Sequence, residues 1–165
     1  MINFVSGDSA KAVVRRSIDE LLNSGKFDSF DDIFSEDFVD HTPQPGNAAG
    51  RTATRNWYLD LRAAFPDLYV EMHWQVALGD VVTSFSTFQG THLGAFLDAE
   101  ATGKKVRFDS VDVMRVHGGK IKEHWGAANL FSLAKQLELD ISAKRKRKAR
   151  ELKARNKLIH EIVGG

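Results

Sequence analysis

A carboxyl group on an apolar strand face is the first candidate for chemistry in this 165-residue sequence. Apolar and polar residues alternate over 106–116, and one face of the predicted strand carries Val106, Phe108, Ser110, Asp112, Met114 and Val116. Because apolar surroundings make a carboxylate costly to ionise, such a group is held neutral, is paired, or transfers protons. Asp112 is therefore a candidate acid and base. The structural alternative is a carboxylate paired with Arg107, Arg115 or a backbone donor.

Three histidines are candidate partners of this carboxyl group: His41, His92 and His124. Imidazole titrates near neutral pH, so it can orient a carbonyl, stabilise an enolate by hydrogen bonding, or assist proton transfer. Each also has a structural alternative. His41 can cap its loop, and His92 can end a strand. His124 can pair with Glu123 or a backbone carbonyl. None shares a ligand spacing such as His-x-His or His-Glu-x-x-His, so the sequence predicts no metal site.

Hydrophobic periodicity predicts the elements that position these residues. Helical spacing predicts a first helix from Asp8 or Ser9 to about Asn23, a short second helix over 27–34, and a third helix capped by Thr52 or Thr54 and ended by Pro66. Alternation then predicts antiparallel strands over 68–78, 81–89 and 106–116, with a returning strand over 120–128 after the Gly118-Gly119 turn. A last helix follows over 129–139. Three helices before four consecutive strands predict an α+β domain with the helices on one face of a curved sheet.

Composition indicates one globular domain, over residues 1–140, with 42% hydrophobic residues, 27% charged residues and 3 prolines. The absence of cysteine excludes disulfides, thiolate metal sites and a Cys nucleophile. Asp8, Lys11, Arg15 and Arg16 interrupt any apolar run near the N-terminus. The expected location is therefore the cytoplasm, with no membrane span.

The net charge of +1 is the sum of a charge of +8 over residues 144–157 and a charge of −7 over all other residues. This pattern predicts a basic C-terminal helical extension over 141–165. Such a segment can bind nucleic acid or an anionic surface, although it lacks aromatic residues on which bases could stack. The alternatives are a solvated helix, or contact with the acidic body of the same or a partner subunit. Self-association through this segment is preferred to nucleic-acid binding, and its apolar contact would be formed by Leu158, Ile159, Ile162 and Val163.

Several short motifs together resemble the SnoaL-like polyketide cyclase family of the NTF2-like superfamily. They are Phe38-Val39-Asp40-His41, Ala64-Phe65-Pro66-Asp67-Leu68, Gly79-Asp80, Gly90-Thr91-His92 with Gly94 and Phe96, Thr102-Gly103-Lys104, and Gly119-Lys120-Ile121-Lys122-Glu123-His124-Trp125. Their order and spacing match from Asp8 to about Leu139. The resemblance implies an NTF2-like cone, in which a strongly curved antiparallel sheet packs on the N-terminal helices and encloses an apolar pocket. It also implies a homodimer formed through the outer surface of the sheet.

The resemblance implies an intramolecular aldol condensation that uses an aspartate as acid and base, with no cofactor. On this basis Asp112 would be the acid and base, supported by His41, His92 and His124. The predicted walls of the substrate pocket are Trp57, Phe65, Trp74, Phe88, Phe108, Met114 and Trp125. The predicted function is a cyclase or isomerase acting on a small apolar carbonyl compound.

The sequence departs from the family at one informative position. In much of the family a carboxylate follows the His-Trp pair, whereas Gly126 stands there in this chain. The departure favours a second hypothesis, in which the domain is a non-catalytic NTF2-like ligand-binding or dimerisation module.

Overall fold

A computed structural model of the chain describes residues 7–44, 48–96 and 99–139. The helices are α1 (Gly7–Arg16), α2 (Phe30–Ile33), α3 (Arg51–Ala64) and α4 (Leu130–Gln136). α1 continues as a π-helical segment (Ser17–Asn23), and a 3-10 turn (Phe27–Ser29) precedes α2. The strands are β1 (Phe34–Asp40), β2 (Tyr69–Leu78), β3 (Val81–Thr91), β4 (Lys105–His117) and β5 (Lys120–Ala128). These elements confirm the predicted α+β class. The start of α3 differs slightly, because Gly50 is the N-cap and both Thr52 and Thr54 lie inside the helix.

The five strands form one curved, mixed sheet in the order β1-β5-β4-β3-β2. The antiparallel pairing of β2, β3, β4 and β5 agrees with the sequence prediction. The four-strand prediction omitted β1, which pairs parallel with β5 and places Asp40 beside His124. Parallel pairing between segments so far apart leaves no local turn signal in the sequence, so the edge strand was missed.

The β4–β5 hairpin forms as predicted. Val106, Phe108 and Ser110 are buried on the inner face of β4, and Asp112 follows on the same face. Gly118 and Gly119 make the turn with φ angles of 59° and 77°, a left-handed conformation that favours glycine. The hairpin therefore carries Asp112 and His124 on adjacent strands.

A β-bulge in β2 overturns the prediction for the second half of that strand. The register with β3 shifts between Met72 and Trp74, so His73 is an extra residue. A one-residue shift turns all subsequent side chains to the other face of the sheet. Trp74 is 47% exposed and Leu78 is 86% exposed, although their spacing from Met72 had predicted burial on the same face.

The core consists of two hydrophobic clusters between the helices and the inner face of the sheet. One centres on Leu61, Phe65 and Phe108, and the other on Phe30, Phe34 and Ile121. Tyr58 on α3 packs against both. A cavity lies where the clusters meet, and residues of both the helices and the sheet line it.

The predicted C-terminal extension over 141–165, with its basic segment 144–157, lies outside the described residues. The domain boundary at residue 140 therefore stays a prediction. Across 7–44, 48–96 and 99–139, no helix is long and apolar enough to cross a membrane.

Candidate active site

The cavity is an apolar chamber with a polar strip along the sheet. Its volume is about 90 Å³, which favours a small ligand. It reaches the surface beside Thr42 and Ala48, which are exposed, so described residues that follow β1 lie at its rim. Apolar walls come from α1, α3 and the strands, and the polar strip consists of Asp40, Ser84, Ser86, Ser110, Asp112 and His124.

The strip is organised around His124, which lies between two carboxylates. Its Nε2 is 2.9 Å from Oδ1 of Asp112, and its Nδ1 is 3.0 Å from Oδ1 of Asp40. Asp112 also accepts a hydrogen bond of 2.8 Å from the Ser110 hydroxyl through its other oxygen, Oδ2. All three ionisable side chains are at most 22% exposed. The structure thus brings together two of the four predicted catalytic residues, Asp112 and His124.

Electrostatics keep this histidine charged. Burial opposes protonation of the imidazole, but the hydrogen bonds and negative charges of Asp112 and Asp40 outweigh it and raise the pKa of His124 to about 9. At neutral pH the ring is therefore an imidazolium that donates one hydrogen bond to each carboxylate. The arrangement carries one positive and two negative charges.

Asp40 is a site residue that belongs to one of the family-like motifs but not to the predicted catalytic residues. Partial burial opposes its ionisation, yet hydrogen bonds from His124 and the Thr42 backbone hold the pKa of Asp40 below its usual value. A signal was available in the spacing of β1, because Phe38 and Asp40 are two residues apart and share a face. The alternation in β1 would have selected Asp40 and turned the adjacent His41 to the opposite face.

Gly126 provides the space in which this arrangement forms. It lies directly opposite Asp112 in the β4–β5 register, whereas His124 lies opposite Met114. The imidazole must therefore lean diagonally across Gly126 to reach Asp112. A Cβ atom at residue 126 would stand 2.6 Å from Oδ1 of Asp112 and 2.7 Å from Nε2 of His124. The His124–Asp112 hydrogen bond therefore requires a residue without a side chain at position 126.

Tyr58 is a second residue that the sequence analysis missed. Its ring lines the cavity and packs edge-on against Phe34. Burial and the nearby charges of Asp112 and Asp40 hold the pKa of Tyr58 well above its usual value. The phenol therefore stays protonated and can donate a hydrogen bond within the cavity. The sequence pattern marked only its neighbour Trp57.

His92 does not line the cavity and is fully buried on its far side. Its Nδ1 accepts hydrogen bonds from the hydroxyl and the backbone N–H of Thr102, and its ring packs on Phe65. Burial lowers the pKa of His92. The predicted position at the pocket is wrong, because the chain turns at the end of β3 and packs the imidazole behind the Phe65 ring.

His41 and Trp125 lie together outside the cavity. Their rings stack with centroids 4.4 Å apart, and Nε2 of His41 is 3.0 Å from Oε2 of Glu123. Strand alternation explains this position, since His124 points inward and Trp125 must point outward. The predicted positions of both residues at the pocket are therefore wrong.

Four of the seven residues predicted for the apolar wall line the cavity. Trp57, Phe88, Phe108 and Met114 line the cavity, and the Phe88 and Phe108 rings stack with centroids 5.2 Å apart. Phe65 is instead a core residue packed behind the wall, and the bulge in β2 turns Trp74 outward. Within the described ranges, no group of three or more His, Asp or Glu side chains is arranged to hold a metal ion.

We expect Gly126→Ala to separate His124 from Asp112. The added methyl group occupies the space through which their hydrogen bond passes, so the pKa of His124 should fall from about 9 towards its ordinary 6.5. An NMR titration of the imidazole measures the change. Gly50→Ala is the matched control, because a methyl group there meets nothing within 4 Å. An unchanged pKa in Gly126→Ala would contradict the steric role of Gly126.

The raised pKa of His124 also predicts a dependence of stability on pH. Between about pH 6.5 and pH 9 the unfolded chain has lost the imidazole proton that the folded chain keeps. The free energy of unfolding should therefore be highest below pH 6.5 and fall by up to about 3 kcal/mol as the pH rises through 9. Urea unfolding at several pH values measures this decrease. His124→Gln should lose most of it, and an equal decrease in that variant would show that other groups cause it.

The sequence profile of the SnoaL-like polyketide cyclase family matches residues 12–137 of this chain. No curated protein sequence matches this chain. Among solved structures, TsrD from Streptomyces laurentii is 21% identical with a TM-score of 0.73, and the match covers 81% of this chain and 97% of TsrD. Identity this low supports the fold alone.

Two further solved structures are somewhat closer in sequence. A candidate polyketide cyclase from Bacillus cereus ATCC 10987 is 27% identical with a TM-score of 0.69, covering 79% of this chain and 81% of that protein. AclR from Streptomyces galilaeus, described as a candidate hydroxylase, is 26% identical with a TM-score of 0.72, covering 81% of this chain and 98% of AclR. The helices and the unclosed, curved sheet of this chain are the NTF2-like fold of these neighbours. With a profile match over most of its length, the chain belongs to the SnoaL-like polyketide cyclase family.

Proposed function

We propose that this protein is an acid–base enzyme of the cyclase or isomerase type that acts on a small apolar carbonyl compound without a cofactor. The observation that carries the proposal is the hydrogen-bonded Asp112–His124 pair in the wall of an apolar cavity. Ionisable groups held in such a cavity are typical of sites that transfer protons. The proposal retains Asp112 as the acid and base, as the sequence predicted.

The first step assigned to Asp112 is removal of a proton from the carbon next to the substrate carbonyl. The carboxylate accepts that proton, and the electron pair of the broken C–H bond forms an enolate. His124 and Ser110 already donate to the carboxylate, which holds it in position before the substrate arrives. Its remaining lone pairs are available to the substrate.

In a cyclase the enolate carbon then attacks a second carbonyl carbon of the same molecule. A C–C bond forms, and the oxygen of the attacked carbonyl takes the proton back from Asp112 to become a hydroxyl. In an isomerase that acts on a β,γ-unsaturated ketone, the enolate is conjugated with the C=C bond, and the proton returns from Asp112 to the γ-carbon. Both reactions balance without any oxidant or external acid, and general acid–base catalysis of this kind contributes about 10²–10⁴-fold in rate.

Three other groups support the proton transfer. Imidazolium His124 holds the Asp112 carboxylate in place and offsets its charge, and Asp40 holds the other side of the ring. We assign Tyr58 to the developing enolate oxygen, because its phenol stays protonated and lines the cavity beside both carboxylates. His41 and His92 have no part in this proposal, since neither lines the cavity.

The alternative of a non-catalytic ligand-binding module depended on Gly126. The geometry weakens that argument, because Gly126 leaves the room that the His124–Asp112 hydrogen bond occupies. The Asp112–His124 pair therefore supports the catalytic hypothesis even without a carboxylate at residue 126. The two hypotheses are separated by a test for chemistry that does not require the natural substrate.

The test is exchange of the α-protons of acetophenone in D₂O, followed by proton NMR. The wild-type protein should accelerate loss of the methyl signal over buffer, and Asp112→Asn should reduce that acceleration by about 10²-fold or more. The probe is a small apolar ketone whose enolate forms by the step assigned to Asp112.

Asp109→Asn is the matched control. Asp109 lies on the same strand but does not line the cavity, and it accepts a hydrogen bond from Thr87. This variant should exchange at the wild-type rate. Equal exchange by wild type and Asp112→Asn would exclude Asp112 as the base, and binding of acetophenone with no exchange in the wild type would support the non-catalytic alternative.

We further propose that the protein forms a homodimer through the outer face of the sheet. An apolar row runs across four strands at one register position, formed by Trp74, Phe85, Val111 and Ala127. Trp74 stacks on Phe85, and both Trp74 and Val111 are more than 40% exposed. A contiguous apolar patch on a sheet marks a surface that another protein covers, and a second copy presents the same patch across a two-fold axis.

Val111→Glu should dissociate this dimer, because it places a charge at the centre of the apolar row. Sedimentation velocity should give twice the 18.4 kDa chain mass for the wild type and the single mass for the variant. Leu93→Glu is the control, since Leu93 is 57% exposed but lies beyond β3, outside the sheet. A wild-type monomer, or a Val111→Glu protein that remains a dimer, would refute the proposed interface.

A further inference from the structure

The polar strip contains one hydroxyl group that has no hydrogen-bond partner in the part of the chain that the structure describes. Ser86 is 1% exposed and lines the cavity, and its Oγ has no hydrogen-bond partner among the described residues. The two neighbouring serines of the strip differ, because Ser84 accepts from Gln75 and Ser110 donates to Asp112. Buried hydroxyls are almost always paired, so an unpaired one that lines a cavity requires an explanation.

The surroundings of Ser86 indicate what could pair with it. In the sheet it lies between Met72 on β2 and Ser110 on β4. Ser110 uses its single proton on Asp112, so its oxygen keeps lone pairs that can still accept. Ser86 itself offers one donor and an acceptor, and it uses neither within the described residues. A ligand hydroxyl can pair with either, whereas a ligand carbonyl can pair with the donor alone.

The next position along these strands is aromatic. Phe88 and Phe108 form the register pair beyond Ser86 and Ser110, and their rings are stacked with an interplanar angle of 16°. On the other side, Asp112 lies opposite Ser84. Diagonal neighbours on adjacent strands are about 7–8 Å apart, so Ser86 and Asp112 are separated by roughly the length of one substituted benzene ring.

We propose that the Ser86 hydroxyl is a second polar subsite that binds a hydroxyl group of the substrate, at the far end of a ring from the carbonyl group that reacts at Asp112. The substrate class is thus a hydroxylated ring compound that carries a ketone about one ring away from the hydroxyl. This inference rests on the proposed function of the cavity and adds a residue that determines specificity. Ser86 acts by positioning the substrate.

The test compares binding of acetophenone with binding of 4'-hydroxyacetophenone, measured by NMR titration. The wild-type protein should bind the hydroxyl compound about tenfold more tightly, which corresponds to about 1.4 kcal/mol. Ser86→Ala should remove most of this preference. Ser84→Ala should retain it, because that hydroxyl is already paired with Gln75. 2'-Hydroxyacetophenone should show no preference, since its hydroxyl adjoins the carbonyl.

The outcomes separate the subsite from the proposed chemistry. If acetophenone exchanges its protons in an Asp112-dependent manner but the hydroxyl gives no preference, the subsite alone is refuted. A Ser86-dependent preference without any exchange supports the subsite and refutes the chemistry. If the wild type binds neither ketone, both proposals fail.

Stability of the free protein gives a second measurement. Because the Ser86 hydroxyl is unpaired, Ser86→Ala should leave the melting temperature unchanged or raise it. Ser110→Ala should lower the melting temperature, since it removes a hydrogen bond to Asp112. An equal loss in both variants would mean that Ser86 is satisfied within the protein, and the subsite would then have no basis.

Discussion

The hydrogen bond from His124 to Asp112 is the interaction on which the candidate site depends. Three partly buried charges are stable together only because each is paired with the next, and the imidazolium links the two carboxylates. The fold supplies this geometry in two steps. The β4–β5 hairpin places Asp112 and His124 on adjacent strands, and the parallel pairing of β1 brings Asp40 to the other ring nitrogen. Gly126 then leaves the gap that the ring crosses.

Much of the fold follows from local patterns in the sequence. The inward alternation of β4 and the Gly118-Gly119 turn are local, so the hairpin is predictable. The bulge at His73 is not, because an extra residue leaves the alternation of residue types unbroken while the backbone changes face. The same limitation hid β1, whose partner strand lies about 80 residues further along the chain.

The site was predictable to the extent that residues were judged by the face they occupy. Asp112 and His124 both belong to the predicted catalytic set and meet in the structure, whereas Trp125 and His41 point away from the cavity, since each neighbours an inward residue on a strand. The same alternation would have replaced His41 with Asp40. Ser86 could not be distinguished from Ser84 and Ser110 by sequence, since all three alternate inward and differ only in whether a partner lies within reach.

Gly126 also constrains how this chain can change over evolutionary time. A carboxylate at residue 126, the arrangement common in the family, and a diagonal His124–Asp112 contact compete for the same few cubic ångströms. A single substitution that installs the first disrupts the second before any compensating change has arisen. The glycine should therefore be retained wherever the histidine–aspartate pair is in use.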